Sequence, residues 1–235
     1  MDLCNPAEQL LWARLSVFTG SVGLEAIEAV YSDDLLAAAD VLDVLSDLVD
    51  KSVLVRDDQH THVRYRMLET IRQYGRLRLS ERGELSALRR RHRDYYQWLL
   101  SCAEREWFTA EQTAWAARLH EERPNLRAAL DFCLNEPGET QAGLWMSAAL
   151  WSHRLGEGSL EEERHWLART LAADITPSLA RARAAWADGW LTLLRGDYEP
   201  ARSRAAQPRA GRVSSGHAYG GARGTARWPE RPLRG

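Results

Sequence analysis

Lysine is nearly missing from this chain. Lys51 is the only one, so arginine supplies the other 30 of the 31 basic residues. That bias, with abundant alanine and 10 tryptophans, reads as the mark of a GC-rich bacterial genome and carries no functional weight. Cysteine is scarce too: Cys4, Cys102 and Cys133 fit no pairing or metal spacing, which points to a reduced compartment and to no zinc site. Long apolar runs are also absent. No stretch approaches the ~18 residues that span a bilayer, and no charged-then-apolar leader opens the sequence. A soluble, cytoplasmic protein without membrane contact is expected.

What is present can build cores. At 235 residues with 45% hydrophobic content, about two domains are expected. The net charge of −2 hides an asymmetry. From Met1 to His60 there are twelve acids and three bases (Arg14, Lys51, Arg56), a local net of −9.

The segment from Val41 to Gly83 is the most informative. Val41, Leu42, Val44, Leu45, Leu48 and Val49 fall on one side of a helix that Lys51 and Ser52 end. Val53 to Val55 is a short β-branched run, Asp57 to Thr61 is polar enough to turn, and Val63, Tyr65 and Met67 alternate with His62, Arg64 and Arg66. This predicts a hairpin with the first set buried and the second in solvent. From Leu68 the period is helical again, with Leu68, Ile71, Tyr74, Leu77 and Leu79 on one face and Gly83 as the left-handed residue that closes it. Upstream, Pro6 to Phe18 and Leu24 to Tyr31 read as helices separated by a turn at Gly20 to Gly23. Three helices and a wing make a winged helix.

Its charge argues against the usual use of that shape. A helix entering the major groove gains affinity largely from Lys and Arg that displace counterions, whereas the third helix offers Asp40, Asp43, Asp47 and Asp50. A module for protein contact, or an intramolecular lid, is the better reading.

Beyond Gly83 the pattern is all-helical. Glu84 to Trp107 carries Arg89, Arg90, Arg91 and Arg93 beside Tyr95, Tyr96, Trp98, Leu99 and Leu100. Basic residues mixed with aromatics can bind nucleic acid, but a helix with a solvated basic face and a buried aromatic face is preferred. Another helix spans Ala110 to Leu134, with a break expected near Glu122 to Arg123 because of Pro124. A weak repeat follows, in which Gly158 with Glu162 and Trp166 matches Gly196 with Glu199 and Ala201 at a spacing of 38 residues. Tetratricopeptide-type repeats have a period of ~34 residues, and Gly189 falls where paired helices would approach closely. The segment 205–235 has no period and six arginines from Arg209 onward against the single acid Glu230. It is expected to be disordered, either as a basic tail for nucleic acid or membrane surfaces or as a frameshifted end.

No catalytic set emerges. Ser159 and Ser215 lie in no G-x-S-x-G elbow, and His153 and His165 do not have the spacing of H-E-x-x-H. No catalytic, cofactor or metal residue is assigned, and the protein is expected not to be an enzyme.

Five segments together resemble one family. They are LSVFTGSVGLEAIEAV at Leu15 to Val30, VLDVLSDLVDKSVLV at Val41 to Val55, YRMLETIRQYGRLRL at Tyr65 to Leu79, RRRHRDYY at Arg89 to Tyr96 and RLHEERPNLRAALDF at Arg118 to Phe132. In order and spacing they look like the region that follows the NB-ARC-type ATPase core in bacterial STAND-class regulators of the AfsR/SARP and LuxR-like groups. The resemblance implies a winged helix over 1–67, a helical connector over 68–136 and tetratricopeptide-like repeats over 137–204, mainly α in class. It implies a protein partner or a separate ATPase domain as the contact of the winged helix. No G-x-x-x-x-G-K-[ST] loop occurs here, and the only lysine lies in DVLSDLVDKSV, so autonomous ATP hydrolysis is not expected and no cofactor is assigned. Plant and animal members of the class read nucleotide with a Met-His-Asp triplet. Met67, Leu68 and Glu69 stand at that position; leucine cannot donate to a phosphate, so Met67 and Leu68 are expected to be core instead.

The function expected is that of a non-catalytic regulatory and protein-interaction fragment of a transcriptional regulator. A stand-alone winged-helix DNA-binding regulator and a gene remnant without present function are the alternatives. Self-association through the uncapped repeat end is a further expectation.

Overall fold

A computed structural model describes residues 4–31, 38–57, 62–153 and 160–194, and in them the chain is mainly helical with one small sheet. The Arg/Gly/Pro-rich segment 205–235, expected to be a disordered tail, and the repeat glycines Gly158 and Gly196 lie outside the described residues, as does the turn at 58–61. The described chain divides into two units. The first holds residues up to Leu99 with His120–Ala129, and the second holds Leu100–Leu119 with the described residues from Leu130 on.

In the first unit, α1 (Pro6–Leu15) begins with a capping box: Asn5 accepts from the Glu8 amide while the Glu8 carboxylate returns to the Asn5 amide. It stops at Leu15, three residues short of the predicted Phe18, because Ser16, Val17 and Phe18 tighten into successive i to i+3 turns. The predicted turn at Gly20 to Gly23 contains a strand, β1 (Ser21–Gly23), which leads into α2 (Leu24–Tyr31). Alternation could not reveal a strand only three residues long. The third helix, α3 (Ala38–Asp50), buries Val41, Leu45 and Leu48 and exposes Asp43, Asp47 and Asp50. Ser52 in the left-handed region (φ 56°) turns the chain into β2 (Leu54–Asp57), and β3 (Arg64–Met67) returns. β3 is the central strand, in the order β1-β3-β2, with Tyr65 opposite both Val22 and Arg56.

α4 (Glu69–Glu81) ends as predicted with Gly83 at φ 70°. Its packing face differs from the expected stripe, because Leu68 and Leu77 are half-exposed and Gly75, Leu79 and the inner parts of Arg72 and Arg76 turn inward. Glycine is required at position 75: a Cβ there would stand 2.7 Å from the Ser16 Cβ and 3.0 Å from the Trp12 ring, so the α1 and α4 backbones approach closely. Tyr74 stacks on Trp12 beside this contact (centroids 5.7 Å, planes 13° apart).

α5 (Leu85–Glu106) is one long helix that contributes to both units. Arg93 is buried, so its basic run is not a uniformly solvated face. The predicted break before Pro124 separates α6 (Gln112–Glu121) from α7 (Arg123–Asn135). In the second unit, α8 (Thr140–His153), α9 (Leu160–Ala173) and α10 (Leu179–Leu194) close on a core of Leu144, Ala148, Leu167, Ala184, Ala187 and Leu191. Gly189 makes no close helix approach, since a Cβ there would meet nothing within 4 Å. Gly143 does: its Cβ would stand 2.9 Å from the Cys133 Cβ.

Candidate functional site: the wing and its buried polar clamp

The winged helix is held by polar side chains that sequence patterning placed in solvent. Arg64, on the central strand β3, was expected outward; it is 3% exposed. Pleating turns it away from Tyr65, and on that side lies the start of α7. Its Nη1 donates to Glu122 Oε1 at 2.8 Å and to Glu121 Oε2 at 3.4 Å, its Nε to Ser21 Oγ at 2.9 Å and its Nη2 to the Ser21 carbonyl at 2.9 Å. The planar fork thus reads two acids and one backbone corner together.

Glu122 is fully buried and would be costly unpaired. Besides Arg64 it accepts the Tyr96 hydroxyl at 2.7 Å and Asn125 Nδ2 at 2.9 Å. Burial, and then the Glu122 carboxylate, hold the Tyr96 phenol well above its ordinary pKa, so it remains a donor. Asn125 reaches back to the start of the winged helix, accepting from the Thr19 amide at 2.7 Å and donating to the Ser21 carbonyl at 3.0 Å. Between them Pro124 packs on Gly20, whose φ of 85° and lack of a Cβ permit the approach. The E-R-P-N run therefore clips the corner before β1 and the wing strand β3 to one helix end.

A second set secures α1. Arg76 Nε donates to the Ser16 carbonyl at 2.9 Å and Arg72 Nη1 to the Phe18 carbonyl at 3.4 Å, so two α4 arginines satisfy acceptors past the α1 C-terminus. At the other end the sole lysine donates to the buried Glu8 (Lys51 Nζ to Oε2, 2.5 Å), tying the end of α3 to the α1 cap. That hydrogen bond holds the Glu8 carboxyl below its usual range. His92 is buried between Phe18 and Tyr96, with ring centroids 5.1 and 4.7 Å away. Burial pushes its pKa down to about 3.

The sensor-triplet positions are not brought into this network. Met67 is partly buried at the end of β3, and Leu68 precedes α4 as its N-cap, 52% exposed and without a side-chain cap bond. Leu68 is therefore not the core residue expected, because the helix start faces outward there. Glu69 is exposed and engages Arg72 and Gln73 of its own helix. His165 is exposed on α9, no group of metal-ligand type occurs among the described residues, and no described helix is long and apolar enough to cross a membrane. Sequence reasoning missed Arg64, Glu122 and Asn125 as partners. The signal available was a charged residue beside Pro124 in a segment otherwise read as helix.

With this geometry in view, residues 4–80 match the winged helix-turn-helix domain family. The chain is 37% identical over 164 residues to proteins of Mycobacterium bovis and Mycobacterium tuberculosis named as HTH-type transcriptional regulators, an overlap covering 70% of this chain and 18% of each relative. An uncharacterized Mycobacterium tuberculosis protein is 34% identical over 94 residues, covering 40% of this chain and 24% of that protein. The chain thus spans about a fifth of the length of the first of these relatives. No solved structure matches. The chain carries a winged helix-turn-helix domain followed by helices and is related, over 164 residues, to proteins that bear the name HTH-type transcriptional regulator.

Proposed function

We propose that this chain is a non-catalytic regulatory segment of a STAND-type transcriptional regulator, in which the winged helix contacts protein and the following helices, read as tetratricopeptide-like over 137–204, receive a signal or partner. The observation that carries it is the use of charge on the winged helix. On α3, Asp43, Asp47 and Asp50 face solvent, and a phosphate backbone would repel them. Of the α4 arginines, Arg72 and Arg76 point to carbonyls beyond α1, and the exposed Arg78 pairs with Glu81 of its own helix. A protein surface, or an ATPase domain supplied by a longer polypeptide, suits such a module. The clamp of Arg64, Glu122 and Asn125 supports its use as a rigid body carried on a connector.

A second reading, a DNA-binding regulator, is favoured by one observation: the printed description of the mycobacterial relatives as HTH-type transcriptional regulators. Electrophoretic mobility shift of the full chain on mixed-sequence duplex DNA at low salt separates the two. The protein-contact reading expects no retardation; tight binding that weakens steeply with salt would overturn it.

A further inference from the structure

Helix α10 is apolar on two sides. One side, through Ala184, Ala187 and Leu191, closes the core of the second unit. On the other, Leu179, Ala182, Trp186, Trp190 and Leu193 are all exposed, at steps of three or four residues that keep them on one face along the length of the helix. A helix that is apolar on both sides is suited to packing on both. The charge nearest the stripe is drawn away from it, because Arg183 pairs with Glu104 of α5 and lies over the Trp145 ring of α8, 5.6 Å from its centroid.

The spacing of the stripe sets what fits it. From Leu179 to Leu193 the steps are 3, 4, 4 and 3 residues, the same in either direction. An identical helix laid antiparallel, with a two-fold axis at Trp186, therefore meets it in register throughout: Leu179 lies against the partner's Leu193, Ala182 against the partner's Trp190, and Trp186 against the partner's Trp186. Each indole at position 190 falls on the methyl group at position 182, so bulk meets gap, as close packing requires. A parallel copy would set indole on indole at both 186 and 190 and leave Ala182 facing Ala182. Gly189 adds room beside the stripe, since a Cβ there would meet nothing within 4 Å.

From this pattern we infer that α10 pairs antiparallel with α10 of a second copy of this chain, on a two-fold axis through Trp186. Such a contact is isologous and closes on itself, so the product is a dimer and not a fibre. The exposed parts of the two indoles and of the leucines supply roughly 500 Å² on each copy, less than the ~800 Å² per partner of a standard interface, so the dimer is weak and concentration-dependent. The pairing goes beyond the regulatory reading and does not rest on it, because it concerns the second unit and leaves the outcome of the DNA experiment unchanged.

The test is sedimentation velocity of the full chain. A reversible monomer–dimer equilibrium with a Kd of about 10–100 µM is expected. Ala182→Trp, which puts indole against indole, and Trp190→Ala, which puts gap against gap, are each expected to weaken the dimer by about tenfold or more. The double variant restores bulk against gap and is expected to return to within about threefold of the parent, with circular dichroism unchanged throughout because both positions are exposed. A parent that stays monomeric at about 1 mM would overturn the pairing and leave the stripe to a different helix. Single variants that dimerise like the parent would place the contact elsewhere, and a double variant that fails to recover would overturn the antiparallel register. Where Ala182→Trp loses its circular dichroism signal, Ala182→Leu replaces it, alone and with Trp190→Ala, under the same criterion.

Discussion

Arg64 on the wing strand and Glu122 at the start of α7 form an ion pair of 2.8 Å with both side chains buried, 58 residues apart in sequence. Two further bonds of the clamp share its acid, because Glu122 also receives Tyr96 and Asn125. Removing the acid alone leaves the buried guanidinium with only the longer contact to Glu121, at 3.4 Å, as its countercharge. Glu122→Ala is therefore expected to lower unfolding stability by about 3–5 kcal/mol, measured as a fall in the urea midpoint. The double variant Arg64→Met, Glu122→Leu should recover most of it, since no charge is then left buried. A single variant as stable as the parent would show that water replaces the pair.

Gly75 explains why α4 follows α1 so closely. With a Cβ at 2.7 Å from the Ser16 Cβ and 3.0 Å from the Trp12 ring, Gly75→Ala forces the backbones apart or displaces both neighbours, and overpacking of this kind costs about 1–3 kcal/mol. Alanine's better helix propensity, worth about 1 kcal/mol over glycine, offsets only part of that. Net destabilisation in thermal unfolding is expected; a rise in Tm would mean that the helices separate freely.

The outline of this first unit was legible in the sequence. Helical spacing gave α3 and α4, Gly83 gave the α4 stop and Pro124 gave the α6–α7 break, because each is a local consequence of period or backbone conformation. The clamp was not legible. Arg64 obeys the alternation of an outward residue, and only the position of α7 beside β3 makes outward a buried direction. β1 escaped because its pairing with β3 joins residues such as Val22 and Tyr65 across more than 40 positions of chain, a separation no local pattern encodes. Leu68 and Leu77 misled for the opposite reason, since leucines on a helical stripe are exposed here while arginine stems and a glycine fill the interface.

His92 makes stability depend on pH. Its folded-state pKa of about 3 lies below its ordinary value of 6.5, so the unfolded chain binds more protons between these values. Stability contributed by the neutral ring is therefore complete above about pH 6.5 and is lost as pH falls, at up to about 1.4 kcal/mol per pH unit. His92→Phe removes the titrating group and keeps an aromatic ring between Phe18 and Tyr96. The difference in Tm between parent and variant should shift in favour of the variant as pH falls from 7 to 5. A pH-independent difference would place His92 in contact with solvent.

α10 carries Trp186 at 58% and Trp190 at 42% exposure, one helical turn apart and stacked with planes 12° from parallel, with Leu193 and Leu194 exposed further along. Indole faces of this size in water favour burial against another apolar surface. The core of the second unit lies on the opposite side of the helix, through Ala184, Ala187 and Leu191, so replacing the tryptophans leaves it intact. The full chain is expected to self-associate with rising concentration in multi-angle light scattering, and Trp186→Gln with Trp190→Gln is expected to shift it toward monomer at unchanged Tm. A parent chain that remains a monodisperse monomer at high concentration would show that these rings do not drive association.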